Sequence, residues 1–281
     1  MVRATRSSLR TAESWAARAH AALLFTAGTP FNNYMGVGIA FPHGRFAADA
    51  VDLSRVSDGL PRPPRPPKKT RFTAFLEKVQ RVKRAVTGYT PPPQDEWTFA
   101  RGRFNTLVFT RLRDIRTEGV LCLACYHMPC AFNSPKVMTI HAGLVAQKAL
   151  KLAAGAPLVL AGDFNFKPLD PQYRLMVSGS MDAQDAAYPQ PQPGCEAWRP
   201  TLPAALRSAY AEANGAEPDC TNYAQVRDEA AFIDTLDYIF VSAGVQVLTA
   251  DLLPHRSAIN GPLPASTEPS DHLLLAATLR V

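Results

Sequence analysis

The chain has 281 residues, 47% of them hydrophobic, and a formal net charge of +6. The length fits one large domain or two small ones, and the hydrophobic fraction supports a sizeable core. No apolar run reaches the length of a membrane span, which excludes an integral membrane class. Residues 55–84 hold ten basic and two acidic side chains, so the formal net charge of the remaining residues is −2. The protein is therefore not uniformly basic. We predict a single domain over residues 1–281 that carries one basic segment.

The five cysteines are an odd number and show no spacing typical of a disulfide framework. Cys122 and Cys125 form a CxxC pair inside an apolar run that predicts a strand. Positions i and i+3 of a strand face opposite sides, so these two thiols cannot chelate one metal. We expect buried core cysteines in an intracellular reducing compartment, either the cytoplasm or an organelle.

The N-terminal region allows two interpretations. Four arginines and a single acid, Glu13, within the first 18 residues are compatible with an organelle transit peptide. We prefer a helix over residues 11–25, where apolar side chains recur at helical spacing. Residues 34–42 and 47–57 then predict two strands.

A basic insertion is predicted over residues 58–100. Residues 60–69 read LPRPPRPPKK, which is typical of a polyproline linker. Residues 71–86 follow with the spacing of a basic amphipathic helix. One interpretation is a lineage-specific helix with solvated charges, and the other is a polyanion contact through residues 60–87.

The remaining elements follow in chain order. Residues 105–113 and 120–128 predict a hairpin, and Ser134 with Pro135 predicts the start of a helix that ends near Gly155. Further predicted elements are a loop over the active-site edge at 177–200, a helix at 202–213, and strands at 235–241 and 273–281.

A strand with polar residues at its exit is predicted at 156–168, APLVLAGDFNFKP. Asp163 and Asn165 are two residues apart, so both side chains can reach the same site. A carboxylate and an amide oxygen suit a hard cation such as Mg²⁺. A capped turn would use the same residue types, and only their context favours a functional site.

Four motifs supply that context: YHM at 126–128, GDFN at 162–165, TLDYIF at 235–240 and SDH at 270–272. Together they resemble the motifs of the endonuclease/exonuclease/phosphatase superfamily, and in detail its deadenylase-like branch of Ccr4, nocturnin and 2′-phosphodiesterase relatives. The resemblance implies an α/β fold, a four-layer α-β-β-α sandwich of two facing, mostly antiparallel sheets flanked by helices. It also implies a Mg²⁺- or Mn²⁺-dependent phosphodiesterase or nuclease that acts on RNA 3′ ends or adenylate-type nucleotides.

The same resemblance assigns roles to residues. Asp163 would orient or deprotonate the attacking water, and His127 would donate to a phosphate oxygen. Asp237 would pair with the His272 imidazole and fix its tautomer. Asp271 would contribute to the metal site, and His272 would serve metal binding or proton transfer. Asn165 would contact the metal or the scissile phosphate and so also serve catalysis. The substrate-binding residues would be Asn105, Lys167 and Tyr223.

The sequence departs from the family at its beginning. The family opens with a strand carrying an Asn and a second strand ending in Leu-Gln-Glu, whose Glu is the principal metal ligand, and neither is found in this sequence. We therefore expect an N-terminally incomplete sandwich. Three explanations would account for the missing strands: a truncated reading frame, a catalytically weak relative, or a partner chain that completes the sheet. We favour the first, because the downstream residues are retained.

Other classes of function stay open at this stage. A catalytically weak relative could act as a nucleic-acid or protein binding module, and a small-molecule phosphatase would share the same core. The sequence does not indicate which phosphoester is the substrate or what the oligomeric state is.

Overall fold

The structure is a computed structural model. It describes residues 36–60, 95–192, 194–266 and 268–281, and the backbone alone of Ala21–Phe25. The predicted linker and basic helix at 61–94 lie outside the described residues. So do residues 11–20 of the predicted N-terminal helix and the region where the family's opening strands were sought.

The described residues form strands and helices in the following order along the chain. The strands are β1 (Ala21–Phe25), β2 (Gly38–Pro42), β3 (Phe46–Arg55), β4 (Thr106–Asp114), β5 (Val120–Tyr126), β6 (Leu158–Asp163), β7 (Arg207–Ser208), β8 (Asn222–Ala224), β9 (Phe232–Asp234), β10 (Asp237–Val241), β11 (Gln246–Ala250) and β12 (Ala277–Arg280). The helices are α1 (Glu96–Arg101), α2 (Pro135–Ala153), α3 (Pro171–Ser178) and α4 (Ala209–Asn214). Within these residues no helix is long and apolar enough to cross a membrane.

A six-stranded sheet is the centre of the fold, with the strand order β3-β4-β5-β6-β10-β7. β5 and β6 pair in parallel and are joined by α2, whereas the other neighbouring strands pair antiparallel. The helix is needed because parallel strands require a crossover connection. The sheet is therefore mostly antiparallel, as predicted.

Apolar side chains cover both faces of this sheet. On one face, residues of β4, β5, β6 and β10 pack with α1, α2 and α3 in the largest core cluster. On the opposite face, β2 packs against β4, and the β11-β12 pair packs against β6 and β10. The arrangement confirms the predicted α/β sandwich of facing sheets flanked by helices.

Several predicted elements are confirmed. The hairpin forms as β4 and β5, and the strand at 34–42 forms as β2. α2 begins with Pro135 in its first turn and ends at Ala153, and the C-cap residue Ala154 adopts the left-handed conformation just before Gly155. The Ser134 side chain, however, makes no capping hydrogen bond.

The predicted helix at 11–25 is wrong over its last five residues. Ala21–Phe25 forms β1, which pairs antiparallel with β2 along its whole length. A short apolar run is compatible with either a helix or a strand. Here the backbone hydrogen bonds to the neighbouring strand β2 stabilise the strand.

The loop at 177–200 does not cover the active-site edge. It packs on the helix layer, where the Trp198 indole donates to Gln147 of α2 and its ring meets Trp97 edge-on at 5.5 Å. α1 was not predicted and lies at the end of the range predicted as an insertion, with Trp97 and Ala100 buried.

Candidate active site

The ends of three central strands bring the motif residues together. Asp163 is the last residue of β6 and Asp237 is the first residue of β10, and the two are paired directly across the antiparallel ladder. β5 and β6 run in register with Cys125 opposite Ala161, so His127 follows in line with Asp163. Tyr126 and Tyr238 belong to the core under the helices. By alternation, His127, Asp163 and Asp237 lie on the opposite face of the sheet.

Gly162 allows these strand ends to approach closely. Its φ is +149°, and a Cβ at this position would lie 1.9 Å from the Tyr126 carbonyl oxygen. Beyond it, Phe164 and Phe166 are buried in the helix-side core. Because the phenylalanines alternate with Asp163 and Asn165, burial of the rings places the polar pair on the site side.

Asp163 lies between two imidazoles. Its Oδ2 is 3.3 Å from His127 Nε2 and 3.9 Å from His272 Nε2. Its Oδ1 accepts a hydrogen bond from the Asn165 amide at 2.9 Å. The carboxylate is only 17% exposed, so its charge is weakly screened by solvent.

Asp237 holds His272 as the sequence predicted. The His272 Nδ1 lies 2.7 Å from Asp237 Oδ2, which makes Nδ1 the donor and directs Nε2 toward Asp163. Burial alone would lower the pKa of His272. The hydrogen bond and charge of Asp237, with the charges of Asp163 and Asp271, outweigh this and raise the pKa above its ordinary value. The site therefore favours a protonated imidazole.

Thr221, a residue to which the sequence assigned no role, fixes Asp237 in turn. Its hydroxyl donates to Asp237 Oδ2 at 2.8 Å and accepts from the amides of Leu236 and Asp237 at 2.9 and 3.0 Å. The residue has no exposed surface. A buried hydroxyl with three partners has no signature in local spacing, so only the fold reveals it.

Two asparagines fix the backbone around the site. Asn165 is 5% exposed, has φ +52°, and donates from Nδ2 to the Met128 carbonyl at 2.9 Å. Asn tolerates this left-handed conformation better than most residues. Asn105 donates to the His127 carbonyl at 2.7 Å. Both side chains thus adjoin the His127–Asp163 pair.

One cluster in the described residues has the composition of a metal site. Ligand atoms of Asp163, Asp237 and His272 all lie within 4.8 Å of one another. Asp271, a predicted ligand, is not in this cluster, although its charge acts on His272. The Asp271 carbonyl accepts from the Tyr223 amide at 2.9 Å, which ties β8 to the SDH motif.

The remaining predicted substrate residue, Lys167, lies on one rim. Its Nζ is 2.9 Å from Asp234 Oδ2 and 5.4 Å from the centre of the Phe232 ring. Phe132, which follows His127 along the chain and is 52% exposed, lies 6.2 Å from the same ring. These two aromatic rings and the ammonium form a rim that the sequence did not predict as a unit.

Comparison with known proteins decides the family. The chain matches the endonuclease/exonuclease/phosphatase family over residues 7–272. The chain belongs to this family. Its curated relatives include carbon catabolite repressor protein 4 homolog 4 of Arabidopsis thaliana, 32% identical over 128 residues, and 2′,5′-phosphodiesterase 12 of Mus musculus, 31% identical over 134 residues. These relatives confirm the predicted deadenylase-like branch.

The matches to the two relatives are partial. They span 44% and 46% of this chain but only 27% and 20% of the relatives' own lengths. Among solved members of the family, the human nocturnin catalytic domain matches 97% of this chain and 76% of its own, with a TM-score of 0.58 and 18% identity. ANGEL2, a 2′,3′-cyclic phosphatase in complex with adenosine-2′,3′-vanadate, matches 95% and 77%, with a TM-score of 0.65 and 17% identity. Both likenesses are to the fold.

Proposed function

We propose that the chain is a divalent-metal-dependent phosphodiesterase that hydrolyses RNA 3′ ends or adenylate-type nucleotides. One observation carries the proposal: the Asp163 carboxylate lies between the His127 and His272 imidazoles, and Asp237 orients the second of them. Phosphoryl transfer needs a group that orients water and donors that stabilise the developing negative charge. The Asp163 cluster offers one carboxylate and two imidazoles for these tasks.

The roles follow from the contacts of each group. Asp163 orients the attacking water and takes its proton, because its carboxylate faces the site, with Oδ1 held by the Asn165 amide and Oδ2 beside the two imidazoles. His127 donates to an oxygen of the scissile phosphate. His272, whose pKa is raised, donates from Nε2 while Asp237 holds Nδ1.

The donor set suits a hard divalent cation. Carboxylate and amide oxygens are ligands that Mg²⁺ and Mn²⁺ accept. Asn165 and Asp271 would hold the ion while His272 keeps the proton that it donates, and the nearby carboxylates of Asp163 and Asp237 add negative charge that attracts the ion. The ion would neutralise charge on the phosphoryl oxygens.

The rim supports a nucleotide substrate. The exposed Phe132 ring beside Phe232 offers a stacking surface for a base, and Lys167 adds a cation next to it. A 2′,5′-phosphodiesterase and a 2′,3′-cyclic phosphatase bound to adenosine-2′,3′-vanadate are among the similar proteins. A short adenylate oligonucleotide is therefore the first substrate to test.

The test is hydrolysis of oligoadenylate with Mg²⁺ or Mn²⁺ by the wild type and by Asp163→Asn. We expect kcat to fall at least about 100-fold, the scale of losing one transition-state group. The control is Asp251→Asn, an exposed carboxylate after β11. Near wild-type turnover by Asp163→Asn would overturn the role of Asp163. Oligoadenylate binding by the wild type without metal-dependent hydrolysis would instead support a binding module.

A further inference from the structure

A second aromatic and cationic surface lies at the same edge of the central sheet, on the side away from Phe132. It consists of Arg55 at the end of β3 and of Phe104 and Arg103 just before β4. The Arg55 guanidinium lies 4.5 Å from the centre of the Phe104 ring, and the Arg103 guanidinium lies 4.3 Å from that of Phe99. The active-site assignment does not use these residues.

The strand register relates this surface to the active site. Arg55 is the ladder partner of Thr106, and Leu107 is the partner of Tyr126, so Thr106 continues in line with His127. Arg55, Thr106 and His127 thus stand in one row across three adjacent strands. Strands in a sheet are about 4.8 Å apart, which places the Arg55 backbone about 10 Å from that of His127.

Arg55 is held rigidly, and the ring beside it is presented to solvent. Its Nε donates to Ser57 Oγ and to the Arg103 carbonyl at 2.6 and 2.8 Å, and its Nη2 donates to the Arg101 carbonyl. One face of the Phe104 ring is therefore backed by a fixed cation. The residue is nevertheless 68% exposed. An exposed ring on a rigid support is a stacking platform.

The charge of this surface is not neutralised locally. Within the part of the chain that the structure describes, neither Arg55 nor Arg103 forms an ion pair with a carboxylate, and Arg103 Nε is buried without a hydrogen-bond partner. Both guanidiniums can therefore attract an anion. Guanidinium groups suit phosphate oxygens in particular.

We propose that Phe104, Arg55 and Arg103 form a second nucleotide subsite, which binds a base and phosphate of an oligonucleotide beyond the scissile bond. This inference rests on the proposed function and makes it more specific. β5 and β6, with His127 and Asp163, lie between this subsite and the Phe132–Phe232 rim. A strand that crosses the site has one base on each aromatic surface. The Arg55 backbone alone is roughly 10 Å from that of His127, so the substrate spans at least about three nucleotides.

The experiment compares a dinucleotide, ApA, with a pentanucleotide, A5, as substrates of the full chain. We expect Phe104→Ala to lower kcat/KM for A5 by at least about fivefold, the loss of one base–aromatic stack. The value for ApA should change less than about twofold. Equal effects on the two lengths, or no effect on A5, would overturn the subsite.

A binding measurement separates the subsite from the proposed reaction. Fluorescence anisotropy with labelled A5 in EDTA should show weaker binding by Phe104→Ala, and Arg103→Gln should reduce the salt slope by about one unit. Unchanged binding by both variants would sink the subsite even if the chain hydrolyses A5. Weakened binding without any metal-dependent hydrolysis would sink the proposed function and leave the subsite standing.

The chain supplies a matched control for these variants. Arg45 lies 5.0 Å from the Phe46 ring centre at the opposite end of β3 and pairs with Asp114 at 3.0 Å. Arg45→Gln removes the same charge from the same kind of stack at a distance of about 30 Å along the strand. It should leave A5 binding unchanged, and equal weakening by Arg45→Gln would show a general charge effect and overturn the subsite.

Discussion

At the scale of single residues, Thr221 is the most informative side chain outside the proposed catalytic set. Its hydroxyl joins the Asp237 carboxylate to two backbone amides at the start of β10. The backbone of Thr221 also accepts from the Leu273 amide at 2.7 Å, next to His272. We infer that Thr221 is a positioning residue that acts through Asp237 on the His272 ring.

Replacement of Thr221 tests this role. Thr221→Val keeps the shape but removes the hydroxyl, so Asp237 loses a donor and two buried amides lose an acceptor. We expect kcat for oligoadenylate to fall about tenfold with KM changed less than about twofold, while Thr221→Ser restores most of the rate. If the role were purely structural, Thr221→Ser would lower kcat as much as Thr221→Val does, or both variants would lower thermal stability and leave kcat unchanged.

At this scale the sequence motifs indicated several side chains that the fold places close together. Asp163, Asp237 and His127 come together because each stands in a motif at or next to the end of a strand, and His272 joins them through its bridge to Asn222. The contact of Thr221 with Asp237 was not predicted, since its partners are determined by packing between distant segments. The Phe104–Arg55 stack could not be predicted for the same reason, because it depends on β3 lying beside β4.

At the scale of elements, a buried histidine joins a strand and two helices. His141 of α2 has no exposed surface. Its Nδ1 accepts from the Tyr126 hydroxyl of β5 at 2.8 Å, and its Nε2 donates to the Ala100 carbonyl of α1 at 3.1 Å. Burial lowers the pKa of His141 to about 4. The imidazole therefore ties the helix layer to the sheet as a neutral group.

This burial predicts a pH dependence of stability. Between the ordinary histidine pKa of about 6.5 and a pKa of about 4 in the folded chain, the unfolded chain binds a proton that the folded chain does not. Acidification through this window should lower the free energy of unfolding by at most about 3 kcal/mol.

Urea unfolding of the wild type and of His141→Gln at several pH values between 4 and 7 measures the effect. The variant should be less stable at pH 7 but show a flatter pH profile. His43→Gln, which changes an exposed imidazole, is the control and should keep the wild-type slope. Parallel profiles for the wild type and His141→Gln would show that another group carries the dependence.

Elements with strong periodicity were predicted well, and those defined by partners were not. The apolar run of β4 and the Pro135–Gly155 boundaries of α2 are local properties. β1 was predicted as a helix because only its pairing with β2 makes it a strand. α1 is six residues long and is stabilised by burial of Trp97, which no local pattern indicates.

At the scale of the whole molecule, charge is concentrated in one segment of the sequence. Residues 60–87 hold nine Lys or Arg and one Glu, so their removal would leave a formal charge of −2. The described surface beside His127 adds Arg55 and Arg103. We propose that the basic segment draws a polyanion toward the active site.

Deletion of residues 60–87 tests this proposal by RNA binding across a salt series. Binding releases counterions from RNA, so the intact chain should lose affinity more steeply with salt than the deleted chain. At low salt the deletion should weaken binding at least about tenfold, since several phosphate contacts are lost. The folded fraction of both forms is checked by circular dichroism. Equal affinities and slopes would mean that the segment does not contact RNA.

The row of residues along the edge of the sheet has a kinetic consequence. Arg55, His127, Asp163 and Asp237 come from strands that are distant in sequence, and His272 joins them from a segment close to the C-terminus. Contacts of this kind are formed slowly, because each closes a long loop before it gains any packing. Helix formation in α2 is local and can precede them. The whole cluster therefore comes together only when the last non-local ladder closes.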